Sequence, residues 1–433
     1  MNKWGKIVIC ILCSLVVLLA CAYCVARFSF GIDVLDRSGW HIRDGQTQYL
    51  DYYGRPLLQW QNIEGKQYYF DPDTGNTVTG WLEHGTKRYY LDESGAAVTG
   101  WTELEDKRYY FDESGAAAAG WLEQADKRYY LDASGAAVTG WLELENKRYY
   151  LDETGAAVTG WLKLENATYY LDALGTPMTG WLDTVDGRCC FDETGRMLTG
   201  WAELDGSRYF FGENGRMATG WLEHEGDRYY LREDGTMAVG QVEIDGVSNF
   251  FTSTGKYVVL VNRWNLMPED YQPELVDLDG FLIDASCRDA LEQMILDCRE
   301  AGYRCVINNT YRSLATQQYM WDVRLETRMA AGMSYEEAVE YTGRSLAFVG
   351  ASEHHLGLAV DINGSDAMYE WLEENCWDYG FILRYPPDRF ESTGIIYEPW
   401  HFRYVGTELA KELQALGLCM EEYMQGLTES QQT

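Results

Sequence analysis

Tryptophan recurs through the first half of this chain every twenty residues, and this period restricts the possible folds more than any other feature. One step spans twenty-one residues, and the positions are Trp40, Trp60, Trp81, Trp101, Trp121, Trp141, Trp161, Trp181, Trp201 and Trp221. A representative unit, residues 81–100, reads WLEHGTKRYYLDESGAAVTG: a short strand with a Tyr pair, a D-E-S-G stretch with turn chemistry, and a second short strand. Each unit predicts a β-hairpin. Because a lone hairpin is marginally stable in water, the units must stack, which predicts an all-β hairpin solenoid over residues 40–256.

The strong net negative charge of the chain argues against anionic binding partners. The 433 residues favour more than one domain and carry a formal net charge of −33. Nucleic acid and anionic lipid surfaces are poor partners for such a chain, because phosphate binding needs clustered Lys and Arg. Cationic or neutral partners fit better.

An apolar segment opens the chain. Residues 7–26 contain no charged side chain, and this segment is long enough for a transmembrane helix. Lys3 and Lys6 precede it. Positive charge on that side predicts a cytoplasmic N-terminus, with residues 1–27 as a membrane anchor and the rest of the chain exported. The stretch from Leu18 to Cys21 also resembles a bacterial lipobox, but an uncleaved signal anchor is favoured because the apolar run continues past Cys21.

Exported cysteines raise the question of disulfides. Five of them lie beyond the repeats, at Cys287, Cys298, Cys305, Cys376 and Cys419. These thiols could pair outside the cell, and the sequence leaves their connectivity open.

The repeat block resembles the Gly-Trp/Tyr-Tyr cell-wall-binding repeats of Gram-positive surface proteins, which include choline-binding modules. In choline-binding versions, the resemblance implies, aromatic cages between adjacent hairpins hold the quaternary ammonium by cation–π attraction. Those modules usually carry a Trp directly before the Tyr pair, whereas most units here carry an arginine, such as Arg88 and Arg108. An arginine in the cage wall would repel a cation. The predicted partner is therefore a cell-wall polymer, either teichoic-acid choline or a glycan, and a spacer with a purely structural aromatic core is the alternative.

A different pattern begins after Lys256 and predicts an α+β domain over residues 258–425. Leu291, Met294, Ile295 and Cys298 recur at helical spacing. Further helices are predicted over residues 314–331, 334–341, 367–378 and 407–416. The segments YVVLVN, CVIN, FILRY and WHFRYV read as strands.

Three of the chain's six histidines fall in two short motifs of this domain. The first, SEHHLGLAVD, spans residues 352–361, and the second, EPWH, spans residues 398–401. Each motif thus contributes at least one imidazole and one carboxylate. A hydrolytic zinc site needs three protein ligands, a fourth position open to water and a carboxylate that takes a proton. Spacing alone leaves a structural role open for any single histidine.

Residues 258–410 resemble the VanY-type D-alanyl-D-alanine carboxypeptidases and their L,D-carboxypeptidase relatives. The matching blocks are YRS-x-x-x-Q at 311–317, S-x-H-x-x-G-x-A-x-D at 352–361, YGFILRYP at 379–386 and YEPWHFRYVG at 397–406. The resemblance implies that His354, Asp361 and His401 bind zinc and that Glu398 is the general base. It leaves His355 outside the metal set.

Arg312 is the predicted recognition residue for the substrate. A carboxypeptidase must bind a free terminal carboxylate, and a guanidinium does so with two parallel hydrogen bonds. The same arginine could stabilise the charge that develops on the reacting carbonyl. Gln317 and Ser352 occupy motif positions that would line the substrate pocket, with a local cap or turn hydrogen bond as the alternative.

The sequence therefore predicts a multidomain, membrane-anchored zinc carboxypeptidase on the surface of a Gram-positive-type bacterium. It would remove the C-terminal D-alanine from peptidoglycan stem peptides, with the repeats holding it among wall polymers. L,D-carboxypeptidase action on tetrapeptide stems and an adhesin with an incidental enzyme domain are the alternatives. Endopeptidase cleavage of crosslinks is disfavoured by Arg312.

Overall fold

The computed structural model of the chain describes residues 13–22, 25 and 38–430. Within these ranges, no helix combines the length and the apolar composition that crossing a membrane requires. The predicted anchor over residues 1–27 lies largely outside the described residues.

The prediction of repeated β-hairpins is confirmed. Residues 39–251 form eleven hairpins, each of two antiparallel five-residue strands. The strands are β1 Gly39–Arg43, β2 Gln46–Leu50, β3 Gln59–Ile63, β4 Lys66–Phe70, β5 Gly80–His84, β6 Lys87–Leu91, β7 Gly100–Leu104, β8 Lys107–Phe111, β9 Gly120–Gln124, β10 Lys127–Leu131, β11 Gly140–Leu144, β12 Lys147–Leu151, β13 Gly160–Leu164, β14 Ala167–Leu171, β15 Gly180–Thr184, β16 Gly187–Phe191, β17 Gly200–Leu204, β18 Ser207–Phe211, β19 Gly220–His224, β20 Asp227–Leu231, β21 Gly240–Ile244 and β22 Val247–Phe251.

The tight turn of each hairpin lies elsewhere than the sequence predicted. In β7–β8, Glu105 and Asp106 both have positive φ, at 51° and 62°, as a two-residue turn of type I′ requires. The D-E-S-G stretch instead makes a separate turn after the hairpin, in which Asp112 accepts hydrogen bonds from the backbone of Ser114 and Ala116 at 2.8 and 2.9 Å. The hairpin thus joins the Gly-Trp strand to the Tyr-pair strand, since the two-residue turn matches the twist of paired strands.

The described chain divides into two compact units, one of residues up to 180 with 191–197, the other of residues 181–190 with 198–430. In the first unit, stacked hairpins bury the residue that follows each Tyr pair. Phe111, Leu131 and Leu151 are fully buried in this way. The Tyr side chains before them pack against the Trp of the preceding hairpin, as Tyr109 does against Trp81. Stacking therefore supplies the core that a lone hairpin lacks.

The second unit contains an α+β domain, as predicted. Its strands are β23 Tyr257–Val258, β24 Leu275–Leu278, β25 Phe281–Asp284, β26 Val306–Asn309, β27 Ala359–Asn363, β28 Phe381–Leu383 and β29 His401–Tyr404. Its helices are α1 Arg288–Glu300, α2 Leu314–Ala330, α3 Tyr335–Gly343, α4 Asp366–Asn375, α5 Phe390–Thr393, α6 Thr407–Leu416 and α7 Met420–Ser430, with 3₁₀ turns at Ala285–Cys287, Glu353–Leu356 and Cys376–Tyr379.

A four-stranded antiparallel sheet of order β26-β27-β29-β28 organises this domain. Helix α1 packs on it: Leu291, Met294 and Cys298 share a buried core with Val360 of β27 and Phe402 of β29. The apolar face of α1 was predicted from its helical spacing, and covering the sheet removes that face from water.

The last hairpin, β21–β22, packs into the α+β domain. Phe250 lies in one buried cluster with Leu413 of α6 and Met424 of α7. The backbone N–H of Gln241 donates to the Thr428 hydroxyl of α7 at 2.9 Å. The last hairpin thus contacts the α+β domain, for which the loss of the sequence period had predicted a start at residue 258.

Two other details differ from the sequence prediction. YVVLVN forms a strand only at Tyr257–Val258, and the helix Met420–Ser430 was not predicted. The five cysteines of the α+β domain, Cys287, Cys298, Cys305, Cys376 and Cys419, are buried and form no disulfide.

Candidate active site

Two neighbouring strands and one 3₁₀ turn bring the three predicted metal ligands together. In the antiparallel register, Asp361 of β27 lies opposite His401 of β29, and His354 lies in the turn that precedes β27. Asp361 Oδ2 is 3.3 Å from His354 Nε2, and Asp361 Oδ1 is 3.0 Å from His401 Nδ1. All three residues are buried, and one ligand atom from each lies within 4.8 Å of the others.

The backbone around His354 fixes which of its ring nitrogens faces the site. Its Nδ1 lies 2.6 Å from the carbonyl oxygen of Thr310. A carbonyl can only accept, so Nδ1 carries the hydrogen and Nε2 presents a lone pair to the site. The turn closes on Gly357, whose φ is +72° and where an added Cβ would lie 3.0 Å from the backbone nitrogen of Asp284. The Gly of this motif is therefore required by both conformation and space.

The carboxylate of Glu353 lies near the His401 ring nitrogen that faces away from Asp361. Its Nε2 lies 3.9 Å from Glu353 Oε2, and both atoms are buried without a hydrogen-bond partner among the described residues. The other oxygen of Glu353, Oε1, accepts from Arg384 Nε at 2.8 Å and lies 3.2 Å from Arg403 Nη1. Burial alone would raise the pKa of Glu353, but Arg384 and Arg403 hold it well below its usual range. Glu353 is thus a buried carboxylate anion directed at the far side of a ligand ring.

Charge coupling within the set favours a bound cation. Burial would raise the pKa of Asp361, but the two adjacent imidazoles hold it well below its usual range. Burial opposes protonation of His401, yet the hydrogen bond that its Nδ1–H donates to Asp361, together with the carboxylate of Glu353, raises the pKa of His401 to about 9. A metal ion in the set would displace this proton and interact with the same anionic groups.

The residues present fit zinc. Two imidazole nitrogens and one carboxylate form a three-ligand set on the wall of an open cavity, and catalytic zinc sites combine such a set with one free position. The His354–Thr310 hydrogen bond and Glu353 supply the outer contacts that orient ligand imidazoles.

Glu398, the predicted general base, lies beside His401. Its Oε2 lies 3.8 Å from His401 Nδ1 at the edge of the metal set, and its side chain lines the cavity. Burial raises the pKa of Glu398 to about 7. A carboxylate with this pKa can both accept and return a proton near neutral pH.

A cavity of about 600 Å³ opens onto these groups. Arg312, Ser352 and Glu398 line it together with the three metal ligands, and Arg324 adds a second guanidinium to its wall. The Arg312 side chain lies 3.6 Å from Asp361 Oδ2. Its backbone carbonyl accepts from His355 Nδ1 at 2.7 Å, so the second histidine of the pair has a structural role and positions Arg312.

Gln317 does not line the cavity, in contrast to its predicted place in the pocket. It is fully buried, and its Oε1 accepts from Arg312 Nη1 at 2.6 Å. Its amide nitrogen donates to the backbone carbonyl of Ala347. Helix α2 therefore uses Gln317 to hold Arg312 in place, and any effect on substrate is indirect.

Sequence reasoning missed four residues of the site. Glu353 is described above, and Arg324 lies on the cavity wall. Asn309 donates to Asp361 Oδ2 at 3.2 Å, and the Tyr385 ring lies 4.8 Å from that of His401. A usable signal existed for Glu353, because an acidic residue flanked by buried motif positions needs partners, and the blocks YGFILRYP and YEPWHFRYVG each contain an arginine.

A buried His-Asp-His set, a carboxylate of raised pKa and a cavity-facing arginine define a metal-dependent hydrolase. The comparisons with known proteins agree with this class. The sequence model of the family VanY, D-alanyl-D-alanine carboxypeptidase, matches residues 281–407. The choline-binding repeat model matches residues 58–99, 98–139, 138–179 and 198–241.

Individual relatives match the α+β domain. A D-alanyl-D-alanine carboxypeptidase of Enterococcus faecalis is 40% identical over 174 residues, which are 39% of this chain and 65% of the relative. The putative carboxypeptidase YodJ of Bacillus subtilis is 33% identical over 191 residues, 39% of this chain and 67% of the relative. A solved structure of VanYB in complex with D-alanine-D-alanine shares 40% identity, covers 39% of this chain and 96% of that chain, and has a TM-score of 0.38. This chain thus spans about two thirds of the length of the curated relatives it matches. It belongs to the VanY family of D-alanyl-D-alanine carboxypeptidases and carries choline-binding repeats ahead of that domain.

Proposed function

We propose that this chain is a zinc carboxypeptidase that removes the C-terminal D-alanine from peptidoglycan stem peptides. The proposal depends most on one observation: Arg312 and Glu398 line the same cavity as the His-Asp-His set. An exopeptidase needs a cation for the terminal carboxylate and a base for the attacking water close to the same peptide bond. The VanY family to which the chain belongs supports the same substrate class.

His354, Asp361 and His401 would hold the zinc ion, which supplies a Lewis acid that polarises the scissile carbonyl and acidifies water. The side chains of the protein bind the substrate and transfer the proton. Arg312 binds the terminal carboxylate, and Gln317 and His355 keep its guanidinium and backbone in place. Glu398 accepts the proton of the water that adds to the carbonyl carbon. When the carbon–nitrogen bond breaks, Glu398 returns this proton to the nitrogen of the departing alanine.

The repeats and the N-terminal segment are proposed to set location. Choline-binding repeats support a wall-associated protein at the cell surface, and the proposed partner of the array is a wall polymer, either teichoic-acid choline or a glycan. The apolar run of residues 7–26 is proposed to anchor the chain in the membrane, with the domains outside the cell. Binding to the wall would raise the local concentration of stem peptides around the cavity.

The test is mass spectrometry of synthetic stem peptides incubated with the zinc-loaded full chain. Loss of one alanine from the pentapeptide, abolished by a chelator and restored by zinc, is the expected result. Loss from the tetrapeptide alone would assign the enzyme to L,D-carboxypeptidases. No release from either peptide by folded, zinc-loaded protein would refute the proposal and leave the adhesin alternative.

A further inference from the structure

One face of helix α2 forms a wall of the cavity beyond the groups that act on the scissile bond. Thr316, Met320 and Arg324 follow one another at intervals of four residues on α2, and all three line the cavity. Residues at this spacing share one face of a helix. An α-helix rises about 1.5 Å per residue, so Arg324 lies about 12 Å further along the helix axis than Thr316. The cavity wall therefore carries a second guanidinium, two helical turns beyond the end that holds Arg312.

The guanidinium of Arg324 has few partners within the protein. Among the described residues, no carboxylate lies within 4.0 Å of it, although the chain contains 68 Asp and Glu residues. Its Nη1 lies 3.5 Å from the hydroxyl oxygen of Ser345, which also lines the cavity, and this distance is long for a hydrogen bond. Because a guanidinium carries five N–H donors, most of those of Arg324 are available to a ligand in the cavity.

Arg328, one helical turn later, differs from Arg324 in its surroundings. Its guanidinium carbon lies over the ring of Tyr341 on α3, 4.2 Å from the ring centroid. This contact joins α2 to α3, and Arg328 is not part of the cavity lining. The two arginines therefore carry the same charge on the same helix, but of the two only Arg324 faces the cavity.

The charge of Arg324 acts on both the proposed base and the proposed carboxylate-binding residue. Burial raises the pKa of Glu398 to about 7, and the positive charge of Arg324 opposes this rise. Burial lowers the pKa of Arg312, and the like charge of Arg324 acts in the same direction. Two like charges on the wall of one cavity repel each other, and anions bound beside them relieve that repulsion. A substrate with two carboxylates therefore matches this wall better than a substrate with one.

We propose that Arg324 is a specificity residue that binds a second carboxylate of the substrate, on a residue before the C-terminal alanine pair. The inference rests on the proposed carboxypeptidase function and deepens it. Since Arg312 takes the last carboxylate of the peptide, the part of the substrate that reaches Arg324 must come from earlier residues. An extended chain covers about 3.3 to 3.6 Å per residue, so about 12 Å corresponds to roughly three residues. The Arg324 side chain leans toward the N-terminus of α2, which shortens this span, and the second carboxylate then belongs to the second or third residue of a stem pentapeptide.

Steady-state hydrolysis of three synthetic pentapeptides by the zinc-loaded full chain tests this. The reference peptide has lysine as its third residue and a γ-linked glutamate with an amidated α-carboxyl group as its second, so that its terminal carboxylate is the only one. The second peptide restores the α-carboxylate of the glutamate. The third peptide replaces the lysine of the reference with meso-diaminopimelate, which adds a side-chain carboxylate. The measured quantity is the ratio of kcat/KM for each two-carboxylate peptide to kcat/KM for the reference.

At least one of the two ratios should be about 10 in the wild type and roughly 1 in Arg324→Gln, because a charge-assisted hydrogen bond at an exposed group is lost. The change should lie mainly in KM, since a contact away from the reacting atoms stabilises the ground state and the transition state alike. Arg328→Gln removes the same charge from the same helix and should leave both ratios unchanged. The peptide whose ratio falls in Arg324→Gln identifies the carboxylate that Arg324 binds.

Wild-type ratios near unity, or ratios that Arg324→Gln and Arg328→Gln lower equally, would overturn the inference. An equal loss of kcat/KM on all three peptides in Arg324→Gln would overturn it as well, because Arg324 would then act through Glu398 on the reaction itself. In each of these cases the wild type still releases alanine, and the proposed function stands. No release from any of the three peptides by the wild type would instead refute the proposed function and this inference with it.

Discussion

Replacing Glu353 with glutamine is expected to weaken zinc binding, although Glu353 is not one of the three predicted zinc ligands. In the wild type, Glu353 Oε1 contacts Arg384 and Arg403, and Oε2 faces His401 Nε2 at 3.9 Å. Glutamine can keep one oxygen for the arginines. It then presents an NH₂ donor to His401 Nε2, which must itself carry a hydrogen when Nδ1 binds metal. His401 therefore loses the carboxylate that orients its ring.

Loss of such an outer carboxylate typically costs 10- to 100-fold in metal affinity, which is about 1.4 to 2.7 kcal/mol. The substitution also removes a negative charge beside two buried guanidinium groups. Breaking a buried pair costs about 3 to 5 kcal/mol of stability when one partner is lost, and the retained oxygen of glutamine should keep the cost toward the lower end. Zinc affinity and folding stability are thus both expected to fall.

Glu421→Gln separates the two effects. Glu421 accepts from the two Nη atoms of Arg384 at 2.6 and 2.9 Å, whereas Glu353 accepts from its Nε. Glu421→Gln should lower the melting temperature and leave zinc affinity unchanged. The assay is competition for zinc between the full chain and a chromophoric chelator, with thermal unfolding of the zinc-free proteins alongside. Equal zinc affinity in wild type and Glu353→Gln, or an equal loss in both variants, would refute the role of Glu353 in positioning His401.

Two further predictions concern recognition and domain structure. Arg312→Ala should lower kcat/KM for a pentapeptide with a free terminal carboxylate by about 10²- to 10³-fold, since two charge-assisted hydrogen bonds are lost. In the wild type, a C-terminal amide in place of the carboxylate should also lower kcat/KM, and this difference between the two substrates should shrink in the variant. An unchanged difference would argue against Arg312 as the carboxylate partner. Phe250→Ala should destabilise the peptidase domain by about 3 to 5 kcal/mol, because this repeat residue packs with α6 and α7. The matched control Phe111→Ala opens a cavity in the array alone. Thermal inactivation of the peptidase should therefore accelerate only in Phe250→Ala. Equal rates of inactivation in the two variants would place the domain boundary at residue 258.

The sequence predicted the parts of this protein that have a strong local signal. A Trp period of twenty residues was enough to predict stacked hairpins, although it misplaced their tight turn, because the residues that adopt positive φ there include Glu105 and Asp106 rather than only Gly. The two histidine motifs contain the predicted ligands His354, Asp361 and His401, and the pairing of β27 with β29 brings Asp361 next to His401.

Features that depend on distant contacts were not predictable in this way. The partners of Glu353 come from β29 and from the segment that follows β28, so its role becomes visible only once the sheet forms. Gln317 was assigned to the pocket from its motif position, whereas the direction of its side chain follows from how α2 packs. The packing of β21–β22 against α7 brings together residues that lie 187 positions apart in the sequence. The sequence of this degenerate repeat does not indicate that contact.

The most direct test of the central claim is alanine release from a synthetic stem pentapeptide by the full chain, compared with Glu398→Gln at equal zinc content. The proposed chemistry predicts zinc-dependent release of one alanine by the wild type and a rate about 10²- to 10⁴-fold lower in the variant, the usual contribution of a general base. Equal rates in the two zinc-loaded proteins, or release that survives zinc removal, would contradict a zinc carboxypeptidase that uses Glu398.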